Sequence, residues 1–310
     1  MKTKATKKLK PQVSPLSQEK RPEGKIEKLR IAVQKSGRLN EGSMKLLKEC
    51  GIDVPAGNNQ LKISVENFDA EILFLRDDDI PEYVQDGVAD IGFVGENVVL
   101  EKNKDTQIVE RLGYGKCRLS IALPKGKKPK NAQALNGIKI ATSYPVILKS
   151  WLKQNKLKAE IHEISGSVEI APRIGLADAI CDLVSSGSTL FSNELYEYET
   201  ILKSEAVLIS GKNLSKKRQQ LLDQLLFRIR SVKKAKYTKY VLLNAPNKSI
   251  ENICKYLPGI NSPTIVPLAK EGWSSIHSVI GENDFWNVIE KLKAAGAEGI
   301  LILPIEKIIE

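Results

Sequence analysis

The chain has 310 residues, of which 42% are hydrophobic and 27% charged, and both fractions are typical of a soluble globular protein. It contains no run of about 18 apolar residues, which excludes a membrane-spanning helix as an interpretation of any segment. The formal net charge is +11, but residues 1–30 alone carry +7 and the remaining 280 residues carry only +4. This distribution argues against a nucleic-acid-binding body and leaves room for a site that binds polyphosphates.

The first 28 residues are rich in lysine, contain three prolines and have few large apolar side chains. Such a composition predicts a disordered basic tail, and it lacks the apolar stretch of a secretion signal. A solvated tail is the favoured interpretation, with a nucleic-acid or transit role as the alternative. The four cysteines lie more than sixty residues apart, so they form neither a zinc knuckle nor a CxxC pair, and a reducing cytoplasm is the expected compartment.

Ordered structure is expected to begin near Leu29 with a strand that runs to Val33, followed by a helix over 41–50 that ends at Gly51. Strands and helices then alternate, which predicts an α/β fold with largely parallel sheets. The further predicted strands are 71–75, 90–94, 118–123, 138–142, 160–164 and 180–184, and the predicted helices between them are 79–87, 145–155 and 167–176.

A short internal sequence repeat suggests that this region has two similar lobes. Gly87-Val-Ala-Asp90 and Gly175-Leu-Ala-Asp178 each follow a predicted helix and precede an apolar strand and a glycine-bearing loop. Two facing lobes would leave a cleft for a small ligand. We expect a bilobal region over 29–231, with a first lobe of about 29–115 plus 193–231 and a second lobe of about 116–192.

The pattern changes after a long predicted helix over 215–230. The following elements are a strand at 237–245, a helix at 247–257, strands at 264–268 and 274–280, a helix at 283–295 and a strand at 299–303. This β-α-β-β-α-β order predicts a ferredoxin-like domain over 232–310.

The stretch richest in chemistry is Ser185-Ser-Gly-Ser-Thr189, which follows an apolar strand. The glycine permits a tight turn that points N–H groups at an anion, and a helix after the loop would add its positive end. Asp178 and Asp182, just upstream, could accept hydrogen bonds from ribose hydroxyls. A Ser/Gly turn without a ligand is the alternative. The candidate phosphate-binding residues are Ser185, Ser186, Gly187, Ser188 and Thr189.

Several other residues at strand ends are candidates for contact with nucleotide or pyrophosphate. The loop with Lys35 and Arg38 could instead be an exposed basic loop, and the three aspartates after Arg76 could serve only to cap a helix. Tyr144 could stack on a base or pack before a helix that starts with proline. No Ser/His/Asp set or reactive cysteine indicates covalent catalysis. The further candidates are Lys35, Arg38, Arg76, Arg118, Tyr144 and Glu169.

Taken together, these segments resemble the ATP phosphoribosyltransferase family in its long, histidine-regulated form. The resemblance extends from about residue 29 to 310, and its segments are LRIAVQKSGRL, LRDDDIPEYVQDGVADIGFVGENV, GKCRLSIALP, IATSYP, SGSVEIAPRIGLADAICDLVSSGSTL and PTIVPLA with FWNVIEKLKAAGAEGILILPIEKI.

The resemblance implies a two-lobed catalytic unit similar to periplasmic binding proteins and a C-terminal ACT-like regulatory domain. It implies transfer of the phosphoribosyl group from phosphoribosyl pyrophosphate to N1 of ATP, with Mg²⁺ as cofactor. This reaction is the first step of histidine biosynthesis. It also implies feedback inhibition by histidine, with AMP as a further candidate inhibitor, and homo-oligomers from active dimers to inhibited hexamers.

The resemblance also implies roles for individual residues. The 185–189 loop would hold the 5′-phosphate, with Asp178 and Asp182 near the ribose. Tyr144 and Glu169 would border the ATP cleft. Lys35, Arg38, Arg76 and Arg118 would surround pyrophosphate and the triphosphate, and no protein ligand of the metal is assigned. The histidine site would consist of Asn244, Thr264, Leu268, Ala297 and Gly299, although relatives carry acidic or histidine side chains in place of Asn244.

Two other classes of protein compete with this interpretation. One is a bilobal small-molecule-binding protein with a sensor domain and no catalysis, against which the missing secretion signal argues. The other is a basic nucleic-acid-binding protein, against which the nearly neutral body argues.

Overall fold

A computed structural model describes residues 27–55, 60–126, 131–257, 259 and 262–309. The predicted tail lies outside the described residues except for residues 27 and 28. Over the described ranges, none of the helices is both long and apolar enough to cross a membrane. All four cysteines are free thiols.

The elements follow in chain order. Up to residue 126 they are β1 (Leu29–Gln34), α1 (Arg38–Glu49), β2 (Lys62–Ser64), β3 (Ala70–Leu75), α2 (Ile80–Gln85), β4 (Ile91–Gly95), α3 (Glu96–Lys102), β5 (Gln107–Arg111) and β6 (Cys117–Pro124). Up to residue 236 they are β7 (Lys139–Thr142), α4 (Pro145–Gln154), β8 (Glu160–Glu163), β9 (Ala179–Val184), α5 (Ser188–Ser192), β10 (Leu195–Ser204), β11 (Ala206–Ser210) and α6 (Lys216–Lys236). The last are β12 (Thr238–Pro246), α7 (Ile250–Cys254), β13 (Thr264–Pro267), β14 (Trp273–Gly281), α8 (Glu282–Ala294) and β15 (Glu298–Pro304).

The first lobe is built on a six-stranded sheet with the order β2-β3-β1-β4-β11-β5. Strand β1 pairs in parallel with β3 and β4, and its side chains Leu29, Ile31 and Val33 are fully buried. Helix α6 covers this core with apolar side chains at three- and four-residue intervals, among them Leu225 and Ile229. Because α6 packs on the first lobe and leads directly into β12, it also carries the C-terminal domain.

A buried ion network fastens α6 to this sheet. Asp90 is only 2% exposed and accepts hydrogen bonds from the backbone N of Arg30 at 2.7 Å and from its guanidinium Nη2 at 2.7 Å. Nη1 of Arg218, in the first turn of α6, donates to the same carboxylate at 3.1 Å. The Oγ of Ser215 caps that turn, because it accepts from Arg218 N at 3.2 Å.

The second lobe is built on a five-stranded sheet with the order β10-β6-β9-β7-β8. The two G-x-A-D motifs precede β4 and β9, and each of these strands lies inside the sheet of its own lobe. The chain returns to the first sheet at β11 and not near residue 193 as expected, since β10 pairs antiparallel with β6 over its whole length. The second lobe therefore extends to about residue 204.

The predicted helix over 167–176 is wrong. Only a short 3-10 turn forms, at Val168–Ile170, with Ser167 before it in the left-handed region at φ 50°. Pro172 has no N–H to donate, and Gly175 at φ 73° leaves helical geometry, so the turn does not continue. The prediction also omitted the short or irregular elements β2, α3, β5, β10 and β11.

The C-terminal domain has the predicted β-α-β-β-α-β order. Its four strands are antiparallel in the order β13-β14-β12-β15, which is the ferredoxin-like arrangement. Helices α7 and α8 cover one face, where Val241, Leu243 and Ile276 are buried. The predicted helix over 247–257 is divided into a 3-10 turn at Asn247–Ser249 and the shorter α7.

Candidate functional site

The predicted strand, loop and helix around residues 185–189 are confirmed as structural elements. Strand β9 ends at Val184, and α5 begins at Ser188. Gly187 adopts φ 83°, a left-handed conformation that favours glycine, and the hydroxyls of Ser186 and Ser188 lie 3.0 Å apart. This 185–189 loop lines a cavity of about 220 Å³ together with Arg38, Glu169 and Asp182. Its hydroxyl and N–H groups can surround an anion of phosphate size.

Arg38 brings the first lobe to this cavity. It is the first residue of α1, directly after Gly37, which has φ 90°. Its Nη1 donates to Ser185 Oγ at 3.4 Å, a contact between residues 147 positions apart. Lys35 is exposed in the same turn. The site is therefore formed between the two lobes, where a cation of the first lobe meets hydroxyl groups of the second.

Two carboxylates lie in the same cavity. Burial raises the pKa of Asp182; the hydrogen bond from Leu183 N at 2.7 Å opposes this rise, and the negative charge of Glu169 adds to it. Carboxylate oxygens next to an anion-binding loop suit ligand hydroxyl groups, which donate hydrogen bonds to them. Asp182 and Glu169 thus offer acceptor oxygens to a ligand in this cavity.

Asp178 does not line this cavity, so its expected place near the ribose stays a prediction that the cavity does not support. It precedes β9, whereas the 185–189 loop follows that strand, and six extended residues separate the two ends by about 20 Å. Its Oδ2 accepts a hydrogen bond from Lys139 N at 3.1 Å, which connects the start of β9 to β7.

Arg118 lies beside the loop and is held by an ion pair. Its guanidinium donates to Glu197 Oε1 and Oε2 at 2.5 Å each, and its Nη1 donates to the carbonyl oxygen of Ser185 at 3.2 Å. These hydrogen bonds lower the pKa of Glu197 to about 2; burial acts in the opposite direction, and Ser120 and Thr200 assist the lowering. Arg118 therefore supports the start of the loop.

A second cavity, of about 500 Å³, adjoins the loop where the chain crosses between the lobes. Lys116, Arg118 and Lys203 line it together with Ser185, so this region supplies further positive charge next to the phosphate loop. Glu96 and Glu205 balance Arg111 at its edge.

The three aspartates after β3 do not cap α2, because Asp79 at its N-cap position makes no side-chain cap hydrogen bond. Arg76 is exposed, and the carboxylate Oδ1 of Asp77 is buried with no hydrogen-bond partner among the residues that the structure describes. Burial, with a contribution from the charge of Asp78, raises the pKa of Asp77 to about 6. An unpaired buried carboxylate oxygen suits Mg²⁺, which is commonly bound by one or two carboxylates together with substrate phosphates. No group of three or more metal-ligating side chains occurs within the described ranges.

Tyr144 lies at the boundary between the lobes, immediately before α4. Its hydroxyl accepts a hydrogen bond from Asn97 Nδ2 at 3.3 Å, and its ring packs against the core of the second lobe. Burial raises the pKa of Tyr144, and the charge of Asp182 adds to the rise. The hydroxyl of Tyr144 thus connects the second lobe to α3 of the first lobe.

Sequence reasoning missed three side chains next to the candidate residues: Asn97 and Glu197, described above, and Glu101, which accepts hydrogen bonds from the first backbone amides of α4. The Gly-Glu-Asn sequence after an apolar strand was a signal for Asn97, because polar side chains at such strand ends commonly face a cleft. For Glu197, a carboxylate in an irregular strand, a single sequence offers no comparable signal.

The residues expected to form a histidine site lie at separate places in the C-terminal sheet. Asn244 and Gly299 are neighbours, since a side-chain carbon added at Gly299 would lie 3.5 Å from Asn244 Nδ2. Thr264 is on the edge strand β13, with β14 between it and β12, which corresponds to about 10 Å. Ala297 is buried in the core, and Leu268 N donates to Trp273 O at 2.9 Å. Asn244 and Gly299 are thus neighbours across β12 and β15, and Ala297 lies two positions before Gly299.

Comparisons with known proteins agree with this architecture. The family model described as ATP phosphoribosyltransferase (HisG) matches residues 76–231, and the model of the HisG C-terminal domain matches residues 235–307. An ATP phosphoribosyltransferase of Cytophaga hutchinsonii is 59% identical over 282 residues, which is 91% of this chain and 99% of the relative. One from Bacteroides thetaiotaomicron is 57% identical over 281 residues, with the same coverage of 91% and 99%. Among solved structures, the ATP phosphoribosyl transferase (HisG:HisZ) complex from Thermotoga maritima is 30% identical with a TM-score of 0.55, over 65% of this chain and 98% of that chain.

Proposed function

This chain belongs to the ATP phosphoribosyltransferase family, and on that basis we propose that the cleft between its lobes joins ATP to phosphoribosyl pyrophosphate, with histidine as feedback inhibitor. The chain is an enzyme that catalyses the first step of histidine biosynthesis. The single observation that carries the assignment of the cleft is the cavity in which the 185–189 loop of one lobe meets Arg38 of the other.

That cavity offers binding groups for each polar part of the phosphoribosyl group. The 5′-phosphate binds to the N–H and hydroxyl groups of the 185–189 loop. The ribose hydroxyls donate to the carboxylates of Asp182 and Glu169, which line the same cavity. Arg118 keeps the loop in place through the carbonyl oxygen of Ser185.

The chemistry requires charge stabilisation more than proton transfer. The lone pair of adenine N1 attacks C1′ as the bond from C1′ to the pyrophosphate oxygen breaks, which inverts the configuration at C1′. Positive charge develops on the sugar, near Asp182 and Glu169, and negative charge develops on pyrophosphate, near Lys35, Arg38 and Arg76. Holding both substrates in line supplies much of the remaining acceleration.

Mg²⁺ fits the unpaired oxygen of Asp77, with Asp78 beside it. Asp77 and Asp78 would hold the ion, which would supply positive charge to stabilise the departing pyrophosphate. A bound Mg²⁺ would therefore be the partner that the buried oxygen of Asp77 lacks among the described residues.

The C-terminal domain is proposed to bind histidine and to mediate self-association. Asn244 and Gly299 form the centre of the proposed site, and Thr264, Leu268 and Ala297 are its other candidate members. Apolar side chains on the outer strands of this sheet are exposed, including Val266, Leu301 and Leu303. Exposed apolar strand residues favour contact with another subunit, in line with a homo-oligomer.

The test is direct. Purified protein with ATP, phosphoribosyl pyrophosphate and Mg²⁺ is expected to release pyrophosphate and form phosphoribosyl-ATP. Arg38→Ala is expected to reduce kcat/KM by at least about tenfold, which corresponds to the loss of one charge-assisted hydrogen bond. Failure of both products to appear would instead indicate a binding protein without catalysis. Unchanged rates in millimolar histidine would contradict the proposed regulation.

A further inference from the structure

Helix α3 of the first lobe supplies the cap of a helix in the second lobe. The carboxylate of Glu101 accepts hydrogen bonds from the backbone N of Val146 at 2.9 Å and of Ile147 at 3.0 Å. These two amides belong to the first turn of α4, where helical N–H groups have no partner inside the helix. The residue at the N-cap position of α4, Tyr144, makes no side-chain cap hydrogen bond of its own.

The same face of α3 also holds the other end of Tyr144. Asn97, one turn before Glu101, donates from Nδ2 to the tyrosine hydroxyl at 3.3 Å. Asn97 is only 5% exposed and is fixed in turn by the crossing strand, because its backbone N donates to Ser204 Oγ at 3.0 Å and its Oδ1 accepts from that hydroxyl at 2.9 Å. Tyr144 is therefore held at its hydroxyl by Asn97 and at the amides that follow it by Glu101.

We propose that Glu101 is a positioning residue for ATP, which acts by capping α4 across the cleft and so keeping the ring of Tyr144 in place as a wall of the nucleotide site. This inference rests on the proposed function, in which Tyr144 borders the ATP cleft. The two hydrogen bonds join different lobes, so they form only in the relative orientation of the lobes that the structure has.

Loss of this cap is expected to weaken the binding of ATP and not that of phosphoribosyl pyrophosphate. Without the cap, the first turn of α4 frays and Tyr144 occupies its position in a smaller fraction of molecules, which weakens apparent ATP affinity by that fraction. The phosphoribosyl site is expected to be spared, because both hydrogen bonds of the Glu101 carboxylate go to α4, whereas the 185–189 loop follows β9.

Glu101→Gln tests the proposal, since glutamine retains one acceptor oxygen and turns an NH₂ group toward an amide donor. We expect the KM for ATP to rise about fivefold to tenfold, the size of a typical lost helix cap, with kcat and the KM for phosphoribosyl pyrophosphate within about twofold of wild type. Glu101→Asp, which keeps the charge but withdraws it by one methylene, should give an intermediate KM. Glu251→Gln is the matched control, because Glu251 is 93% exposed on α7.

A double-mutant cycle separates positioning from a general effect on the fold. In a Tyr144→Ala background, Glu101→Gln should change the KM for ATP by less than about twofold, because the wall that it holds is already gone. An unchanged KM in the single variant, or a full effect in the Tyr144→Ala background, would overturn the inference.

Calorimetric titration with ATP keeps this outcome distinct from that of the proposed function. A wild-type protein without turnover would refute the reaction, while the ATP affinities of the wild type and the variants would still decide the role of Glu101.

Discussion

Glutamine in place of Glu197 removes the charge that holds Arg118 beside the phosphate loop. In the wild-type protein, Glu197 Oε1 accepts from Arg118 Nε at 2.5 Å, from Ser120 Oγ at 2.8 Å and from Thr200 Oγ1 at 3.1 Å. The variant keeps one acceptor oxygen but faces the guanidinium with an NH₂ group. We expect it to be less stable and to hold the 185–189 loop less firmly.

The magnitude follows from the pKa of Glu197, which hydrogen bonds from Arg118 lower from 4.5 to about 2. An undiminished shift of that size corresponds to about 3 kcal/mol of folding free energy. The side chains of Arg118 and Glu197 are 33% and 27% exposed, so solvent screening reduces the expected loss to about 1–2 kcal/mol. Because the folded-state pKa is depressed, this stabilisation is present above pH 4.5 and is lost as the pH falls toward 2.

Urea unfolding of both proteins between pH 7 and pH 2 measures this difference. The gap in the free energy of unfolding should be about 1–2 kcal/mol at pH 7 and should shrink below pH 4.5. Glu199→Gln, an exposed position on the same strand, is the control and should show a change of less than about 0.5 kcal/mol. A gap that stays constant over the whole pH range would refute the electrostatic origin. In steady-state assays the variant should raise the KM for phosphoribosyl pyrophosphate and leave that for ATP unchanged.

Three further predictions concern other parts of the chain. Asp90→Ala leaves Arg30 and Arg218 without their buried carboxylate, so the free energy of unfolding should fall by about 3–5 kcal/mol in urea titrations, and a loss below 1 kcal/mol would contradict the network. Gly187→Ala forces a side chain into a left-handed turn, which should lower thermal stability by about 1 kcal/mol and raise the KM for phosphoribosyl pyrophosphate at least tenfold, whereas wild-type kinetics would exclude the loop from the site. Removal of residues 1–26 should leave turnover within about twofold, and an inactive truncated enzyme would give the basic tail a catalytic role.

Sequence patterns were most informative where one strong local signal decides the structure. The largely apolar segment of β1, the proline at the start of α4 and the glycine-bearing turn after β9 each specify their element locally. The predicted β-α-β-β-α-β order of the C-terminal domain was also confirmed, because a local pattern specifies each of its elements. The helix expected over 167–176 does not form. The sequence has a signal for a helix start there, but Pro172 and Gly175 further along prevent a continuous helix.

The sequence could not predict which side chains far apart in the chain come into contact. Asp178 and Asp182 are four residues apart in sequence, yet an extended strand carries one of them about 13 Å from the other, toward the opposite end of the sheet. Conversely, Asn97 and Tyr144 are 47 positions apart and share a hydrogen bond. Contacts of this kind depend on how the two lobes face each other, which no local pattern encodes.

The late return of the chain to the first sheet has a consequence for synthesis on the ribosome. Strand β11 lies between β4 and β5, so the first sheet keeps a gap until residues 206–210 have left the exit tunnel. The strands of the second sheet, by contrast, all fall within residues 117–204. The second lobe is therefore complete before the first, which reverses the usual order in which nascent chains fold from their N-terminus. A translation product that stops just short of β11 would combine a finished lobe with two unpaired strand edges, and such edges are templates for aggregation.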